Sequence, residues 1–234
     1  MDIKLIPIGD TAVTLHFGSK INEKTGNRIQ SFTSLLIQQS YSWLIEFVPA
    51  YTTVTIYYDP INLMEKGKSP FSYIKQTLQD LADKIKDESN TNARTIEIPV
   101  CYGEDYGPDL EHVATSNKLS KEQVIDLHSN SNYRVYMLGF TPGFPYIGGL
   151  DEALATPRKQ TPASRIPEGS VGIAGHQTGI YPNESPGGWQ IIGRTPLKLF
   201  KAVHKPPTLL QAGDRVRFRS ITEQEFLALK EDER

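Results

Sequence analysis

Three arginines, Arg158, Arg165 and Arg194, lie among turn residues rather than on helix faces. A guanidinium is planar, stays charged at physiological pH and binds carboxylate or phosphate through paired hydrogen bonds. Three of them brought to one pocket would make an anion site. Gly187-Gly188-Trp189 adds backbone N–H groups beside an aromatic wall, a second device for cradling anions. His128 ends an expected helix, where the dipole favours its charged form, and His176 sits in a glycine-rich turn. Either could move a proton near neutrality. Ser170, Thr195 and Tyr181 could bond a ligand, and are equally suited to satisfying backbone groups at turns. By themselves these residues describe an anion-friendly pocket and no reaction type.

Other chemistries find less support. Gly67-Lys68-Ser69 resembles the end of a phosphate-binding loop, but Asn62 stands where the first glycine belongs, and Ser69 reads as a helix cap. Gly169-Ser170-Val171-Gly172 resembles a nucleophile elbow, with Glu168 in place of a required glycine. The histidines, at 16, 112, 128, 176 and 204, lack metal-ligand spacing, so no protein-ligated metal is expected. Cys101 is the single cysteine; it permits no internal disulfide and reads as a small buried residue at a strand end. No Met-Lys-Met is present, so the chain is not itself a biotin carrier.

The bulk properties narrow the classes further. Across 234 residues, Lys+Arg number 25 against 27 Asp+Glu, for a net charge of −2. That balance gives no electrostatic footprint for nucleic acid or an anionic membrane. Hydrophobic residues make up 38% of the chain, enough for a packed core. No apolar run approaches the roughly 18 residues of a membrane span, and the first residues lack a secretory pattern. A soluble, cytoplasmic protein is the expectation.

The elements that must position the arginines fall into two textures. Residues 1–90 read as an α+β domain in the order β-β-α-β-β-α, a small sandwich with helices on one face of a sheet. Asn22 caps a helix whose apolar stripe is Ile29, Phe32 and Leu36. Ser69 and Pro70 open a second helix with Phe71, Ile74, Leu78, Leu81 and Ile85 on one side. Asp87 to Asn92 is the candidate linker. Residues 93–234 form the second domain, with capping boxes at Ser120-x-x-Gln123 and Thr222-x-x-Glu225. Between Gly139 and Pro196 lie 11 of the 18 glycines and 8 of the 16 prolines. With hydrophobic residues spaced throughout, that density predicts short strands and shaped loops, as in a β-barrel.

Several motifs in this stretch occur in one order that resembles a known family. They are Gly139-Phe140-Thr141-Pro142-Gly143-Phe144-Pro145-Tyr146, Gly169-Ser170-Val171-Gly172-Ile173-Ala174-Gly175 and Gln177-Thr178-Gly179-Ile180-Tyr181-Pro182. Ser185-Pro186-Gly187-Gly188-Trp189 and Ile192-Gly193-Arg194-Thr195-Pro196 complete the set. The chain resembles the family of the 5-oxoprolinase B subunits, also called the first subunits of allophanate hydrolase, which includes the histidine-kinase inhibitor KipI. The likeness runs from Ile8-Gly9-Asp10 to Gly213-Asp214-Arg215-Val216.

The resemblance implies an amino-terminal α+β domain followed by a cyclophilin-like β-barrel. It implies work with the enzyme's C subunit, of related barrel fold, and with its A subunit, hydrolysing 5-oxo-L-proline to L-glutamate with ATP as co-substrate. A five-membered lactam is a poor electrophile, and phosphorylating its amide oxygen would create a leaving group. On this reading Arg158, Arg165 and Arg194, with the amides of Gly187 and Gly188, hold the substrate carboxylate or a phosphoryl group. Ser170, Gln177, Trp189 and Thr195 would complete the binding site, with His128 and Tyr181 handling protons. One departure stands out: the family run P-R-x-x-x-P-R reads here as Pro157-Arg158 followed by Pro162-Ala163, with Arg165 two residues on. No nucleotide loop is recognisable, so ATP is expected mainly on a partner or shared interface. Two other roles fit the family: inhibition of a sensor histidine kinase, and biotin-dependent carboxyl transfer on urea-like substrates.

Overall fold

A computed structural model describes residues 3–64, 69–85 and 93–232. The chain divides into two compact units, Met1–Asn92 and Ala93–Arg234. The expected linker, Asp87 to Asn92, lies outside the described residues, as do Gly67 and Lys68.

In the first unit β1 (Lys4–Ile8) and β2 (Ala12–His16) precede α1 (Glu23–Gln39), then β3 (Leu44–Pro49), β4 (Thr53–Tyr58), the short α2 (Ile61–Met64) and α3 (Pro70–Ala82). The strands form an antiparallel sheet in the order β1-β2-β4-β3. The Asn22 side chain accepts the Thr25 N–H at 2.9 Å, which starts α1. Ile29, Phe32 and Leu36 of α1 and Ile74, Leu78 and Leu81 of α3 are buried in one cluster with Val13, Leu15, Val54 and Ile56 of the sheet. Ser69 does occupy the cap position of α3, but its side chain makes no capping bond. Its carbonyl, accepting the Tyr73 N–H, begins the helix instead.

The second unit contains β5 (Thr95–Tyr102), α4 (Leu110–Ser116), α5 (Lys121–Asn130), β6 (Tyr133–Leu138), β7 (Pro145–Gly148), β8 (Ala163–Ile166) and β9 (Ser170–Ala174). There follow β10 (Gln177–Ile180), β11 (Ser185–Gly187), β12 (Gln190–Arg194), β13 (Arg215–Ser220) and α6 (Glu223–Asp232). Seven strands close into a barrel in the order β10-β7-β6-β13-β5-β12-β9, in agreement with the barrel that the turn density predicted. Within it β13 runs parallel to β5, while the other pairs are antiparallel. Val135, Ile147, Val171, Ile173, Ile192 and Phe218 fill the interior, and Val113 and Val124 of the two helices pack against the same core. β8 and β11 make a separate two-stranded ribbon. Both expected capping boxes form: Ser120 with Gln123 opens α5, and Thr222 with Glu225 opens α6. Among the described residues no helix is long and apolar enough to cross a membrane.

Candidate functional site

Arg194 ends β12, directly opposite Ser170 of β9. Paired residues of an antiparallel ladder share a face, and Val171, the neighbour of Ser170, points into the barrel core, so Ser170 and Arg194 face outward. The turn beside them is locked. Gly169 sits at φ +81°, and a Cβ there would stand 2.3 Å from the Thr195 carbonyl oxygen. Only glycine tolerates that approach in that conformation. In return the Thr195 N–H donates to the Gly169 carbonyl at 2.9 Å.

This turn borders a cleft of about 380 Å³ whose lining includes Glu168, Arg194, Lys198, Phe226 and Lys230. The Arg194 guanidinium lies 5.8 Å from the Tyr106 ring centre. Its Nε is buried without a hydrogen-bond partner, as is Ser170 Oγ. Burial lowers the Arg194 pKa, with Tyr106 and Asp105 acting in the opposite direction. An unsatisfied buried donor on a charged group is costly unless something supplies the acceptor. Thr195 has a local task, since its Oγ1 accepts the Leu197 N–H at 3.3 Å.

A second group forms around Trp189, which is buried against Phe144, Tyr181, Ile166 and Ile191. The Arg158 guanidinium is placed 5.9 Å from the Trp189 ring centre and itself stays exposed. Tyr181 is 2% exposed. Burial pushes its phenol up to about 12, against the opposing pull of the Trp189 backbone N–H and Arg158, so it is protonated at neutral pH. Gly187 makes room for that hydroxyl: a Cβ would meet Tyr181 Oη at 2.3 Å. The Arg158 loop is pinned at both sides, by Gln190 Nε2 donating to the Pro157 carbonyl at 3.0 Å and by the Lys159 N–H donating to the Gly188 carbonyl at 2.7 Å. Lys159 Nζ also pairs with Asp109 at 2.7 Å, and Asp109 accepts the Ile191 N–H.

The three arginines therefore do not share one set of neighbours, contrary to the single pocket expected of them. Arg165 stands on β8, exposed, with its Nε 2.7 Å from Glu184. Ala163, where the family run has arginine, is packed against the Trp189 cluster. Gln177 is half-buried at the start of β10, opposite Ala174.

His128 departs furthest from expectation. It is in the last turn of α5 but fully buried. Nδ1 lies 2.8 Å from Tyr102 Oη and Nε2 lies 3.0 Å from Thr178 Oγ1, with the Phe218 ring tilted against the imidazole, 4.4 Å between ring centres. Burial lowers its pKa from 6.5 to about 3, so the imidazole is neutral at pH 7. The dipole argument for a charged, proton-exchanging group fails because desolvation outweighs it.

Sequence reasoning missed Asp109, Lys159, Glu168, Lys198 and Lys230. Lys159 follows Arg158 and Lys198 lies four residues after Arg194, a proximity that could have signalled them. Lys230 lies on α6, which is held beside the cleft by Phe226 packing on Tyr106, 4.6 Å between ring centres, and by the Tyr106 hydroxyl donating to Glu223 at 3.1 Å. Among the described residues no group of His, Cys, Asp and Glu could hold a metal ion.

A closed seven-stranded barrel with a cleft lined by Arg194, Lys198 and Lys230 on its outer wall defines the class of protein by its architecture. The family model for the carboxyltransferase domain, subdomains C and D, matches residues 3–210, and the chain belongs to that family. It is 47% identical over 229 residues to a Bacillus subtilis protein named as the B subunit of 5-oxoprolinase, covering 96% of this chain and 95% of the relative. It is 41% identical over 216 residues to the Haemophilus influenzae protein of the same name, covering 92% and 97%. The crystal structure of a conserved uncharacterized protein, PH0987 from Pyrococcus horikoshii, is 44% identical with a TM-score of 0.57, covering 95% of this chain and all of that one.

Proposed function

We propose that this chain is the B subunit of a 5-oxoprolinase, one component of a multi-subunit hydrolase. The observation that carries the reading is identity of 41–47% over more than nine-tenths of the chain to proteins of that name. In the proposal it acts with the A and C subunits to open the lactam of 5-oxo-L-proline to L-glutamate, ATP being a co-substrate held chiefly by a partner. The barrel's contribution is to hold an anionic group, the substrate carboxylate or a phosphoryl group, in the Arg194 cleft. Arg158 beside Tyr181 is the second contact point, with Tyr181 as a hydrogen-bond donor. His128, neutral and enclosed, supports the barrel and transfers no proton. Reconstituting the chain with its two partners and following ATP-dependent glutamate release tests the reading. Release that needs this chain supports it, and equal release without it overturns it.

The family model's own description, a carboxyltransferase domain, favours biotin-dependent carboxyl transfer as a second reading. Turnover that requires a biotinylated partner would select it.

A further inference from the structure

We infer that the cleft at Arg194 takes a dianionic, tetrahedral head group of the phosphate type. This rests on reading the cleft as the anion site of the proposed function. The lining carries three cations, Arg194, Lys198 and Lys230, against one carboxylate, Glu168. Among the described residues none of the three forms an ion pair, although Asp105 acts on Arg194 through space. Arg194 rests on the Tyr106 ring, and Lys230 lies 5.8 Å from the Phe226 ring centre.

A singly charged carboxylate would leave this excess only half neutralised, whereas a dianion balances it. The cations also come from three separate places: the end of β12, the loop that follows it, and α6. A planar carboxylate is met along one edge by a single arginine fork, while a tetrahedral group offers oxygens in several directions. Arg194 is part of that lining, and its buried Nε finds no acceptor within the chain, so the guanidinium's hydrogen bonding is not completed by the fold.

The test is a calorimetric titration of the full chain at fixed ionic strength with sulfate, inorganic phosphate, malonate and acetate. Sulfate and phosphate should saturate a single site, with acetate and malonate at least about tenfold weaker. Lys198→Ala and Lys230→Ala, both at exposed positions, should each weaken sulfate binding about tenfold with unchanged circular dichroism. Malonate binding as tightly as sulfate would refute the tetrahedral shape, and acetate doing so would refute the double charge. Unaltered sulfate affinity in both lysine variants would place the anion elsewhere. The glutamate-release assay is independent of these readouts. If the complex releases no glutamate while the lysine variants lose sulfate, the 5-oxoprolinase reading fails and the dianion site stands.

Discussion

His128 and Arg194 are both ionisable groups withdrawn from water in the same unit, and their surroundings differ in one respect. Both ring nitrogens of His128 have hydroxyl partners, and aromatic rings close around it. Arg194 has an aromatic face to rest on but a buried Nε with no acceptor. A buried polar group whose bonds are all made within the chain belongs to the fold. One left incomplete beside a cleft is where the proposed anion site can be tested by substitution. The residue type alone points the other way, since histidine is the usual proton carrier and arginine the usual surface charge.

Substitution at the two positions should separate them sharply. His128→Ala removes a fully buried ring and strands the Tyr102 hydroxyl, while Thr178 Oγ1 keeps its bond to the Gly172 carbonyl, for an expected loss of about 3–5 kcal/mol in urea denaturation. A loss below about 1 kcal/mol would mean the histidine is not a structural pillar. Arg194→Ala should do the opposite. Stability should stay within about 1 kcal/mol, because the guanidinium's buried Nε has no bond to lose. Turnover of the reconstituted complex should fall about a hundredfold, the usual consequence of removing one charge-assisted contact in a site. Full activity in that variant would remove Arg194 from the mechanism.

The Trp189 group offers an intermediate case within two adjacent glycines. Gly187→Ala would press a methyl onto Tyr181 Oη at 2.3 Å, for an expected cost of about 1–3 kcal/mol. At Gly188 the nearest atoms to a new Cβ are 3.8 Å away, so Gly188→Ala should change thermal stability by less than about 0.5 kcal/mol. Equal effects at the two positions would show that the Tyr181 contact does not constrain the turn.

The barrel was legible because glycine and proline density with interspersed Val and Ile leaves few other folds. The stripe of Ile29, Phe32 and Leu36 and both capping boxes were legible because each is a local pattern with a local cause. The site was less so. Whether Arg165 and Arg194 share a pocket depends on which strands close the barrel and which form the outer ribbon, and no spacing encodes that. Lys230 joins the cleft through long-range contacts of α6, Phe226 on Tyr106 and Glu223 with the Tyr106 hydroxyl. A histidine in a last helical turn looks the same in sequence whether the turn faces water or Thr178 across a barrel.

Acid provides the finest distinction between the two groups. In the unfolded chain the His128 imidazole takes up a proton near pH 6.5, and in the folded barrel only near pH 3. Between those values the unfolded state binds more protons, so stability rises with pH there and falls as acid is added. The limiting slope is about 1.4 kcal/mol per pH unit, reached below pH 6.5. Arg194 stays charged in both states over this range and contributes no slope. Chemical denaturation between pH 7 and pH 5, above the carboxylate range, should therefore show the chain losing about 1 kcal/mol per unit toward the acid end. His128→Gln should flatten that dependence and Arg194→Ala should leave it intact. A pH dependence unchanged in His128→Gln would mean that water reaches the ring and that the barrel interior is less closed than the His128 contacts imply.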